Sequence, residues 1–561
     1  MANFVPFCGL FCAATENGEE YIRMLWDLIF SILAGVITVF ASLRFIHMLQ
    51  LESYQGKMYL KWLKRAGRAP ALNCLLGALA AFFLRSSWTF FYNDNQFLLY
   101  VADALYLFAM ASFVFSSKKQ EEKKKLVFTG RANRLLAILF LLCLVFHRNL
   151  FIPLFEIDMP ALLRMPVLAL LRYLPGMLLP FFVLLAYLIA LPIENGVKRY
   201  YFNDAKKKLA QRKDVIKIGI TGSFGKTSTK FILGTILQEK YNTLITPSSF
   251  NTPMGVTRVV REQLKDEHEV FVAEMGARYK GDIKELCELV APGLGLITSV
   301  GKQHLETFGS YEAVIETKSE LLHALPESGT AFVNGDNKDC RENMRHIAVH
   351  TNLFGIEDDE SYYMRASDIK ITPMGSEFTL ITATGESIRC ATALLGEHNI
   401  LNITGAAALA YYIGVPLHSI AEGILKVKPV EHRLQLIQGP VTVIDDAFNA
   451  NPVGTKAALK VLGAFENPNK VIVTPGMVEL GAEQDALNEE FGRMMAKVAT
   501  TVILVGKYNE PAIRRGLLAE GYKEEQIVFI ETLSEVQSIL PRYAPAGSVV
   551  LFENDLPDNY A

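Results

Sequence analysis

A glycine-bearing turn between an apolar strand and a helix-like segment restricts the fold of this chain more than any other feature. Residues 218–230 read Ile-Gly-Ile-Thr-Gly-Ser-Phe-Gly-Lys-Thr-Ser-Thr-Lys, and the helix-like segment Lys230–Leu237 follows. The backbone N–H groups of such a turn and the N-terminus of the helix point at one spot, where they bind phosphate. Lys226 adds a point charge there, and the hydroxyl of Thr227 can reach a metal. The sequence therefore predicts a site for the phosphates of a nucleotide.

The match to the usual phosphate-loop pattern is a variant. The strict spacing would place glycine at position 220, where this chain has Ile220, with Gly219 and Gly222 beside it. A glycine turn that simply ends a buried strand is the alternative interpretation. The Gly-Lys-Thr triplet at 225–227, in a strand–turn–helix context, favours the phosphate site.

Most of the excess hydrophobicity of the chain lies before residue 195. The 561 residues carry a net charge of −2, which argues against nucleic-acid binding, and their mean hydropathy of +0.23 is unusual for a soluble enzyme. A helix needs about 20 apolar residues to cross a bilayer. Five runs of this kind are Leu25–Leu49, Pro70–Tyr92, Gln96–Ser116, Leu135–Phe155 and Pro175–Glu194. They predict an all-α transmembrane domain over residues 1–200.

The distribution of basic residues predicts the orientation of these spans. Lysines and arginines crowd the connections after the first and third spans and the segment after the fifth, whereas residues 93–95 and 156–159 have none. Because basic loops stay in the cytoplasm, the N-terminus is predicted outside the cell membrane and everything after residue 200 in the cytoplasm, which supplies ATP. A cleaved signal peptide is the alternative for the first span, but no clear cleavage site follows it.

Ionisable residues inside the predicted spans suggest specific contacts. Arg85 and Asp103 are costly at such depth unless they pair or line a polar cavity, so we expect them to face each other. The alternative is that Arg85 extends to the membrane interface. Arg164 and Arg172 lie eight residues apart and share one face if their segment is helical, which suggests a helix resting on the outer surface.

From residue 215 onward, short Val- and Ile-rich strands alternate with helical periodicity, which is typical of an α/β protein with a parallel sheet. The first series of predicted strands is Val215–Ile220, Val270–Glu274, Leu294–Val300 and Ala331–Asn334. The second series is Val441–Asp445, Lys470–Thr474, Thr501–Val505, Gln526–Ile530 and Ser548–Phe552. Because Pro429 follows the predicted helix Asn402–Leu425, we place a central domain at 201–428 and a smaller Rossmann-like domain at 429–561.

Polar residues follow the ends of several predicted strands, where open α/β sheets bind ligands. Glu274 ends one strand beside a Met-Gly turn, a position that suits a magnesium ion. His304 follows the next strand, and Lys318 lies on the helix after it. Taken singly, such a histidine is usually a cap and such a lysine usually only confers solubility. Their significance depends on the whole pattern.

Eight motifs occur in the order and local context of one known family. They are Thr221-Gly-Ser-Phe-Gly-Lys-Thr-Ser228, Glu274-Met-Gly276, Gly301-Lys-Gln-His-Leu-Glu306 with Phe308-Gly-Ser310, Thr317-Lys-Ser-Glu320, Asn334-Gly-Asp336, Gly396-Glu-His-Asn399 with Asn402, Glu431-His-Arg433 and Asp445-Asp-Ala-Phe-Asn-Ala-Asn-Pro452. On these motifs, residues 215–561 resemble the P-loop-type central domain and the C-terminal domain of the Mur ligases. The last motif and Glu479-Leu-Gly481 are most similar to the branch that adds D-alanyl-D-alanine to a UDP-linked muramoyl tripeptide.

The resemblance implies roles for the residues around the phosphate loop. Lys226 would bind the β- and γ-phosphates of ATP, and Thr227 with Glu274 would hold a first Mg²⁺. His304 would help to bind a second Mg²⁺. Lys318 matches a lysine that family members carry as a carbamate.

The resemblance also implies contacts with the rest of the nucleotide. Asn399 would contact the nucleotide, Arg433 the transferring phosphate and Asp446 the ribose. The other residues expected around ATP are Thr221, Gly222, Ser223, Gly225 and Ser228. In the implied reaction a carboxylate attacks the γ-phosphate of ATP to give an acyl phosphate, and an amine then displaces phosphate to form an amide.

The chain departs from the family at its N-terminus. The predicted membrane domain replaces the soluble domain that binds a UDP-sugar in the muramoyl ligases. We therefore expect a carboxylate acceptor linked to a lipid or an envelope polymer at the inner leaflet, with an amino acid or short peptide as the amine. Thr474-Pro-Gly476 stands where we would expect a Gly-Asp pair, so the identity of the amine stays open.

Three other functions are alternatives at this point. A poly-γ-glutamate synthase would also join a Mur-like domain to membrane segments, although its resemblance lies more in the phosphate loop than around residues 449–452. An ATP-driven transporter would hydrolyse ATP without forming an amide, and the sequence lacks the additional ATPase motifs it would need. A non-catalytic envelope scaffold would need none of Lys226, Glu274, His304 and Lys318.

Overall fold

The fold follows the predicted order, with an all-helical region before an α/β region. The computed structural model describes residues 18–52, 54–65, 72–87, 97–116, 125–150, 161–248, 250–301, 305–347, 350–372, 375–447, 450–478 and 480–554. A boundary near Val197 divides the chain into a helical unit and an α/β unit. Each unit has its own hydrophobic core.

The first sheet of the α/β unit contains nine strands within the described residues. They are β1 Ile216–Thr221, β2 Thr243–Ile245, β3 Val270–Glu274, β4 Leu294–Ile297, β5 Thr330–Asn334, β6 His350–Gly355, β7 Met364–Thr372, β8 Gly375–Thr382 and β9 Ser387–Thr392. Their spatial order is β2-β3-β1-β4-β5-β6-β7-β8-β9. The strands from β2 to β7 pair in parallel, and β8 pairs antiparallel with both β7 and β9.

Both faces of the parallel part are buried, because helices cover a sheet of this type on either side. Ile218 and Ile220 of β1 belong to one core, whereas Phe271 and Ala273 of β3 belong to the other. The helices of this region are Lys226–Leu237, Pro253–Glu262, Asp282–Val290, Leu305–Phe308, Tyr311–His323, Lys338–Asn343, Glu397–Tyr412 and Leu417–Lys426. Since β1, β3 and β4 run parallel, their carboxyl ends meet at one edge of the sheet.

A second sheet follows, with six strands among the residues that the structure describes. They are β10 Gln435–Ile437, β11 Thr442–Asp446, β12 Lys470–Thr474, β13 Thr501–Val505, β14 Ile527–Ile530 and β15 Val549–Glu553. The order is β10-β11-β15-β12-β13-β14, and only the β10–β11 pair is antiparallel in this described sheet. The helices Pro452–Gly463, Gln484–Ala496, Glu510–Ala519 and Val536–Tyr543 accompany it. This is the predicted Rossmann-like arrangement.

The predicted strands all form, but one helix prediction is wrong. The strand predicted at Leu294–Val300 ends at Ile297, and β2 and β6–β10 were not predicted. The single helix predicted at Asn402–Leu425 is two helices, Glu397–Tyr412 and Leu417–Lys426. Gly414 has a φ of 89° after the first helix, and Pro416 is the N-cap of the second. A left-handed glycine and a proline both interrupt a helix at this point.

The helical unit is rich in apolar helices. They are Gly18–Leu51, Gly56–Arg65, Leu72–Ser87, Phe97–Ser116, Gly130–His147, Ala161–Met177 and the first part of Leu179–Gln211. Four of the described helices are long and apolar enough to cross a membrane, namely Tyr21–Leu51, Phe97–Phe115, Gly130–His147 and Leu179–Gln211. At the second predicted span the structure describes the apolar helix Leu72–Ser87, and the rest of that span lies outside the described residues. This composition indicates membrane association, and the orientation stays a prediction.

Buried charges connect the helices of this unit. The guanidinium of Arg172 donates to both oxygens of Asp103, from Nε to Oδ1 at 2.9 Å and from Nη2 to Oδ2 at 2.8 Å. Arg85 Nη1 lies 3.3 Å from Asp103 Oδ1, which confirms the predicted pair. The hydroxyl of Tyr173 and the indole of Trp26 also donate to Asp103. Asp103 is therefore a fully hydrogen-bonded carboxylate in an apolar bundle.

The position suggested for Arg172 is wrong. The segment is helical, as Ala161–Met177, but only Arg164 is exposed, whereas the side chain of Arg172 is 2% exposed. The guanidinium also lies 2.9 Å from Asp27 Oδ1 and covers the ring of Phe30. A buried arginine needs such partners to offset the loss of its hydration. No spacing in the sequence shows that these residues meet.

We predict that Arg172→Met destabilises the helical unit strongly. It leaves Asp103 buried without its bidentate partner, a change that costs about 3–5 kcal/mol in comparable buried pairs. The measurement is thermal unfolding of the detergent-solubilised protein. Arg85→Gln is the matched control and should cost less, because it removes one long contact and leaves the bidentate pair of Arg172 with Asp103 intact. Equal losses from the two variants would contradict this account of Asp103.

Candidate functional site

The phosphate loop connects β1 to the helix Lys226–Leu237. Two of its positions require glycine, because atoms of other segments lie very close to the loop backbone there. Gly222 has a φ of 151° and Gly225 a φ of 80°. A Cβ on Gly222 would lie 2.1 Å from Thr298 Oγ1, and a Cβ on Gly225 would lie 2.5 Å from Asn402 Oδ1. Only glycine fits both the backbone angles and the space. The loop is thus packed directly against the end of β4 and the helix Glu397–Tyr412.

Lys226 folds back over this loop. Its Nζ donates to the carbonyl oxygens of Gly222 at 2.6 Å and Ser223 at 2.9 Å. Desolvation lowers the pKa of Lys226 to about 8, while Glu274 favours the charged form and Arg433 opposes it. The ammonium is therefore mostly charged at neutral pH and lies beside the backbone that would receive phosphate.

Glu274 is the point where the surrounding elements meet. This carboxylate ends β3 and is 1% exposed. Oε1 accepts from Thr227 Oγ1 at 2.9 Å and from Asn251 Nδ2 at 3.0 Å, and Oε2 accepts from Lys230 Nζ at 3.0 Å. Burial alone would raise its pKa, but Lys230 and Lys226 outweigh burial and hold the pKa below its usual value. Glu274 is ionised at neutral pH.

Thr227 and Glu274 fit the predicted magnesium ion in their chemistry. Hydroxyl and carboxylate oxygens are the donors that Mg²⁺ prefers, and here they are in direct contact. Among the described residues, no group of three His, Cys, Asp or Glu side chains lies close enough to hold a metal. His304, the predicted ligand of a second ion, lies outside the described residues. Thr227 and Glu274 would hold a metal only together with other oxygen donors.

Lys318 is a buried amine near the loop. It lies on the helix Tyr311–His323, is 2% exposed, and its Nζ is 5.9 Å from the centre of the Phe308 ring. Burial lowers the pKa of Lys318 well below its usual value, and the positive charge of Lys226 lowers it further. A lowered pKa increases the share of the neutral, nucleophilic amine relative to an exposed lysine.

A cavity lies beside the first turns of the helix Lys226–Leu237. Its volume is about 240 Å³, including space open to solvent. The lining side chains include Ser228, Phe231, Leu394, Asn399, Val427 and Arg433. The space enclosed by these walls holds about one water molecule, which is too small for a nucleobase ring. Phe231 was not among the predicted site residues, although it lies three residues after Ser228 and hence on the same helix face.

Arg433 lies in the connection between the two sheets, where two carboxylates fix its neighbours. Asp446 Oδ1 accepts from the backbone N–H of Leu434 at 3.0 Å, and Asp445 Oδ2 pairs with His432 Nδ1 at 2.7 Å. His432 and Leu434 have φ angles of 59° and 49°. Left-handed backbone is unfavourable for such residues, so these bonds hold Arg433 in a defined place.

Glu553 is a buried carboxyl group that the sequence analysis missed. It lies opposite Asp446 in the register of β11 and β15 and is 0% exposed. No described residue hydrogen-bonds to either of its oxygens. Burial, with a contribution from Asp446, raises the pKa of Glu553 well above its usual value, and desolvation raises the pKa of Asp446 to about 6. The two groups cannot both ionise without cost.

The structure brings most of the predicted site residues to one edge of the first sheet. Thr221, Gly222, Ser223, Gly225, Lys226, Thr227 and Ser228 form the loop and the start of its helix. Glu274 is bonded to Thr227, and the electrostatic effect of Lys226 on Lys318 places that amine nearby. Asn399 and Arg433 line the cavity, and Asp446 supports the connection that carries Arg433. Such an edge can bind a polyanion.

Comparisons with known proteins agree with this geometry. Family models described as the Mur ligase middle domain and as the Mur ligase, glutamate ligase domain match residues 220–410 and 432–553. The chain belongs to the Mur ligase family, whose members are ATP-dependent ligases that form carbon–nitrogen bonds.

The similar proteins confirm the branch that the motifs indicate. The UDP-N-acetylmuramoyl-tripeptide--D-alanyl-D-alanine ligase of Escherichia coli is 35% identical over 316 residues, which cover 55% of this chain and 68% of that protein. The Bacillus subtilis ligase of the same name is 29% identical over 340 residues, 60% of this chain and 72% of that protein. The crystal structure of MurF from Acinetobacter baumannii is 28% identical and has a TM-score of 0.57, covering 64% and 77% of the two chains. MurF from Thermotoga maritima in complex with ADP is 25% identical, with a TM-score of 0.56 and coverage of 64% and 80%.

We predict that the stability of the α/β unit falls as pH rises through about 6. A carboxyl group whose folded-state pKa is raised stabilises the fold below its unfolded pKa and loses that contribution as pH passes its folded pKa. For Asp446 the resulting loss in the free energy of unfolding is on the order of 2–3 kcal/mol. Glu553→Gln removes the neighbouring carboxyl, so its unfolding temperature should depend less on pH between 5 and 8. Parallel pH curves for the two proteins, measured by thermal unfolding, would contradict this.

Proposed function

We propose that this protein is a membrane-anchored ligase that uses ATP to join a carboxylate to an amine through an acyl phosphate. The observation that carries the proposal is the contact of Thr227 with Glu274 directly beside the loop that holds Lys226. A cation, a hydroxyl and a carboxylate in this arrangement are suited to a nucleotide with its magnesium ion. Membership of the Mur ligase family supports the same reaction class.

The phosphate site would work by neutralising and orienting ATP. The ammonium of Lys226 would leave the carbonyl oxygens of Gly222 and Ser223 and contact the phosphates, while backbone N–H groups of the loop bind them. Thr227 and Glu274 would hold Mg²⁺, which supplies positive charge to the phosphoryl group during transfer. Arg433, whose neighbours His432 and Leu434 are bonded to Asp445 and Asp446, would contact the transferring phosphate.

The proposed reaction has two steps. A carboxylate oxygen of the acceptor attacks the γ-phosphorus, the bond to the bridging oxygen breaks, and ADP leaves. The nitrogen of the amine then attacks the acyl carbon, phosphate leaves with the bond's electron pair, and the amine loses a proton. Because a carboxylate and an amine do not form an amide at a useful rate at neutral pH, activation and close positioning together lower the barrier.

The acceptor is inferred from the N-terminal part of the chain. The E. coli and B. subtilis relatives match over 68–72% of their length, and the apolar helical unit precedes the matched region here. We infer that the acceptor is a carboxylate carried by a lipid or an envelope polymer at the cytoplasmic face of the cell membrane. The N-terminus of the protein would lie outside the cell. The amine would be an amino acid or a short peptide, and nucleic acid would not be a partner.

The direct test is product formation by the detergent-solubilised protein. It would be incubated with ATP, Mg²⁺, pooled amino acids and short peptides, and membrane lipid and polymer fractions from the host. The proposal predicts that release of phosphate coincides with a new amide mass. Hydrolysis of ATP without an acylated product would favour a transporter. Formation of a glutamate polymer would favour a poly-γ-glutamate synthase, and absence of ATP turnover would favour a scaffold.

We predict that Lys226→Met lowers kcat/KM for ATP by about 100-fold or more, because the charge that meets the phosphates is lost. The measurement is phosphate release together with nucleotide binding. Lys240→Met is the matched control, since Lys240 is exposed and donates only to the carbonyl of Gly414. Normal kinetics in the Lys226 variant, or an equal loss in the control, would count against the site.

Lys318 is predicted to react with CO₂. Its lowered pKa favours the neutral amine, and the neutral amine adds to the carbon of CO₂ and releases a proton to give a carbamate. Protein equilibrated with ¹³C-bicarbonate should show a carbamate ¹³C signal that decreases as pH falls and the amine protonates. Lys318→Arg should lack this signal, because its guanidinium is not a nucleophile. An equal signal in both proteins would contradict the assignment.

A further inference from the structure

Lys230 is a buried cation that the proposed reaction does not use. It lies one helical turn after Lys226, and its side chain is 0% exposed. Its Nζ donates to Glu274 Oε2 at 3.0 Å and to the carbonyl oxygen of Ser248. Taking an ammonium out of water is costly unless it is paired, so the pair with Glu274 is required by burial.

Both oxygens of Glu274 are already engaged by neighbouring donors. Oε2 is held by Lys230, and Oε1 by Thr227 and Asn251. The backbone N–H of Glu274 in turn donates to Thr246 Oγ1. Three of the roughly four acceptor positions of this carboxylate are therefore occupied, so an incoming metal ion competes with existing hydrogen bonds for it.

The surrounding charge also opposes a free metal ion. Lys226, Lys230 and Arg433 all interact electrostatically with Glu274, and Asp446 interacts with Arg433. Three cations therefore act on the one carboxylate that would bind the metal. A positive, partly desolvated site repels a bare divalent cation and attracts a polyanion.

We propose that Lys230 is a counter-charge that makes metal binding at Thr227 and Glu274 conditional on the nucleotide. This inference rests on the proposed function. The triphosphate supplies negatively charged oxygen ligands that the protein alone does not provide, so metal and nucleotide occupy the site together. Lys230 is thus a positioning residue: it fixes Glu274 and the Ser248 backbone without touching the reacting atoms.

The test uses Mn²⁺ as the probe, with free ion measured by electron paramagnetic resonance on the full-length protein in detergent. Without nucleotide, the wild-type protein should show no saturable Mn²⁺ binding below about 1 mM, an affinity typical of weak sites. With a non-hydrolysable ATP analogue, Mn²⁺ should become bound to the protein. Glu274→Gln identifies the site, because Mn²⁺ that stays bound in this variant belongs elsewhere.

The variants separate the role of Lys230 from general disruption. Lys230→Met frees Glu274 from its counter-charge, so nucleotide-free Mn²⁺ binding should strengthen about tenfold or more, as nearby opposite charges have effects of this size. The double variant Lys230→Met with Glu274→Gln should not show this stronger Mn²⁺ binding. It also lacks the buried carboxylate that the single variant Lys230→Met leaves unpaired. Its unfolding temperature serves as the folding control. No gain in the single variant would overturn the proposal.

The possible results distinguish the role of Lys230 from the proposed ligase function. Saturable Mn²⁺ binding at Glu274 in the wild-type protein without nucleotide would overturn the role of Lys230 and leave the ligase proposal intact. Failure of Mn²⁺ to bind even with the ATP analogue would overturn both, because the ligase needs a metal–nucleotide site. Binding only with the analogue is the predicted result.

Discussion

The carboxylate of Glu274 is the group on which the rest of the nucleotide site depends. It ends β3 beside β1, so parallel pairing places it next to the phosphate loop. Its hydrogen bonds join the helix of Lys230, the hydroxyl of Thr227 and the loop of Asn251. A buried charge is tolerated only when such partners surround it. The same bonds that stabilise the carboxylate therefore fix the geometry of the site.

Local patterns predicted the central parallel strands β1, β3, β4 and β5 of the first sheet, whereas the flanking parallel strands β2 and β6 were missed. The strands Val270–Glu274, Lys470–Thr474 and Thr501–Val505 form as predicted, because buried parallel strands are short continuous apolar runs. Glu274 was identified because it ends such a run. The strands β7–β9 were missed, since they belong to an antiparallel part with weaker patterns of polar and apolar residues.

Contacts between residues distant in the sequence were not predictable from spacing alone. Arg172 pairs with Asp103 across 69 positions, and Glu553 meets Asp446 only because β15 lies next to β11. The cavity near Phe231 likewise combines a helix turn with the segment before Arg433. The motifs of a known family supplied Arg433 and Asp446, which no local pattern singles out. Tertiary neighbours decide these cases.

Under the proposed function, the helical unit would constrain the substrate rather than the chemistry. Exposed apolar side chains such as Phe83, Phe108 and Phe115 are suited to contact with lipid. Its buried ion pairs show that charge inside the unit is balanced by specific partners. An enzyme attached to a membrane in this way would meet its acceptor at the bilayer, so lipid- or polymer-linked carboxylates are the substrates to examine first.

The most direct measurement of the central claim follows oxygen through the reaction. The acceptor isolated from the host membrane would be labelled with ¹⁸O in its carboxylate and converted with ATP, Mg²⁺ and the amine. If the carboxyl group is activated by phosphorylation, the released phosphate carries one ¹⁸O atom and the amide retains the other. An amide formed while the phosphate contains no ¹⁸O would contradict an acyl phosphate and with it the proposed use of this site.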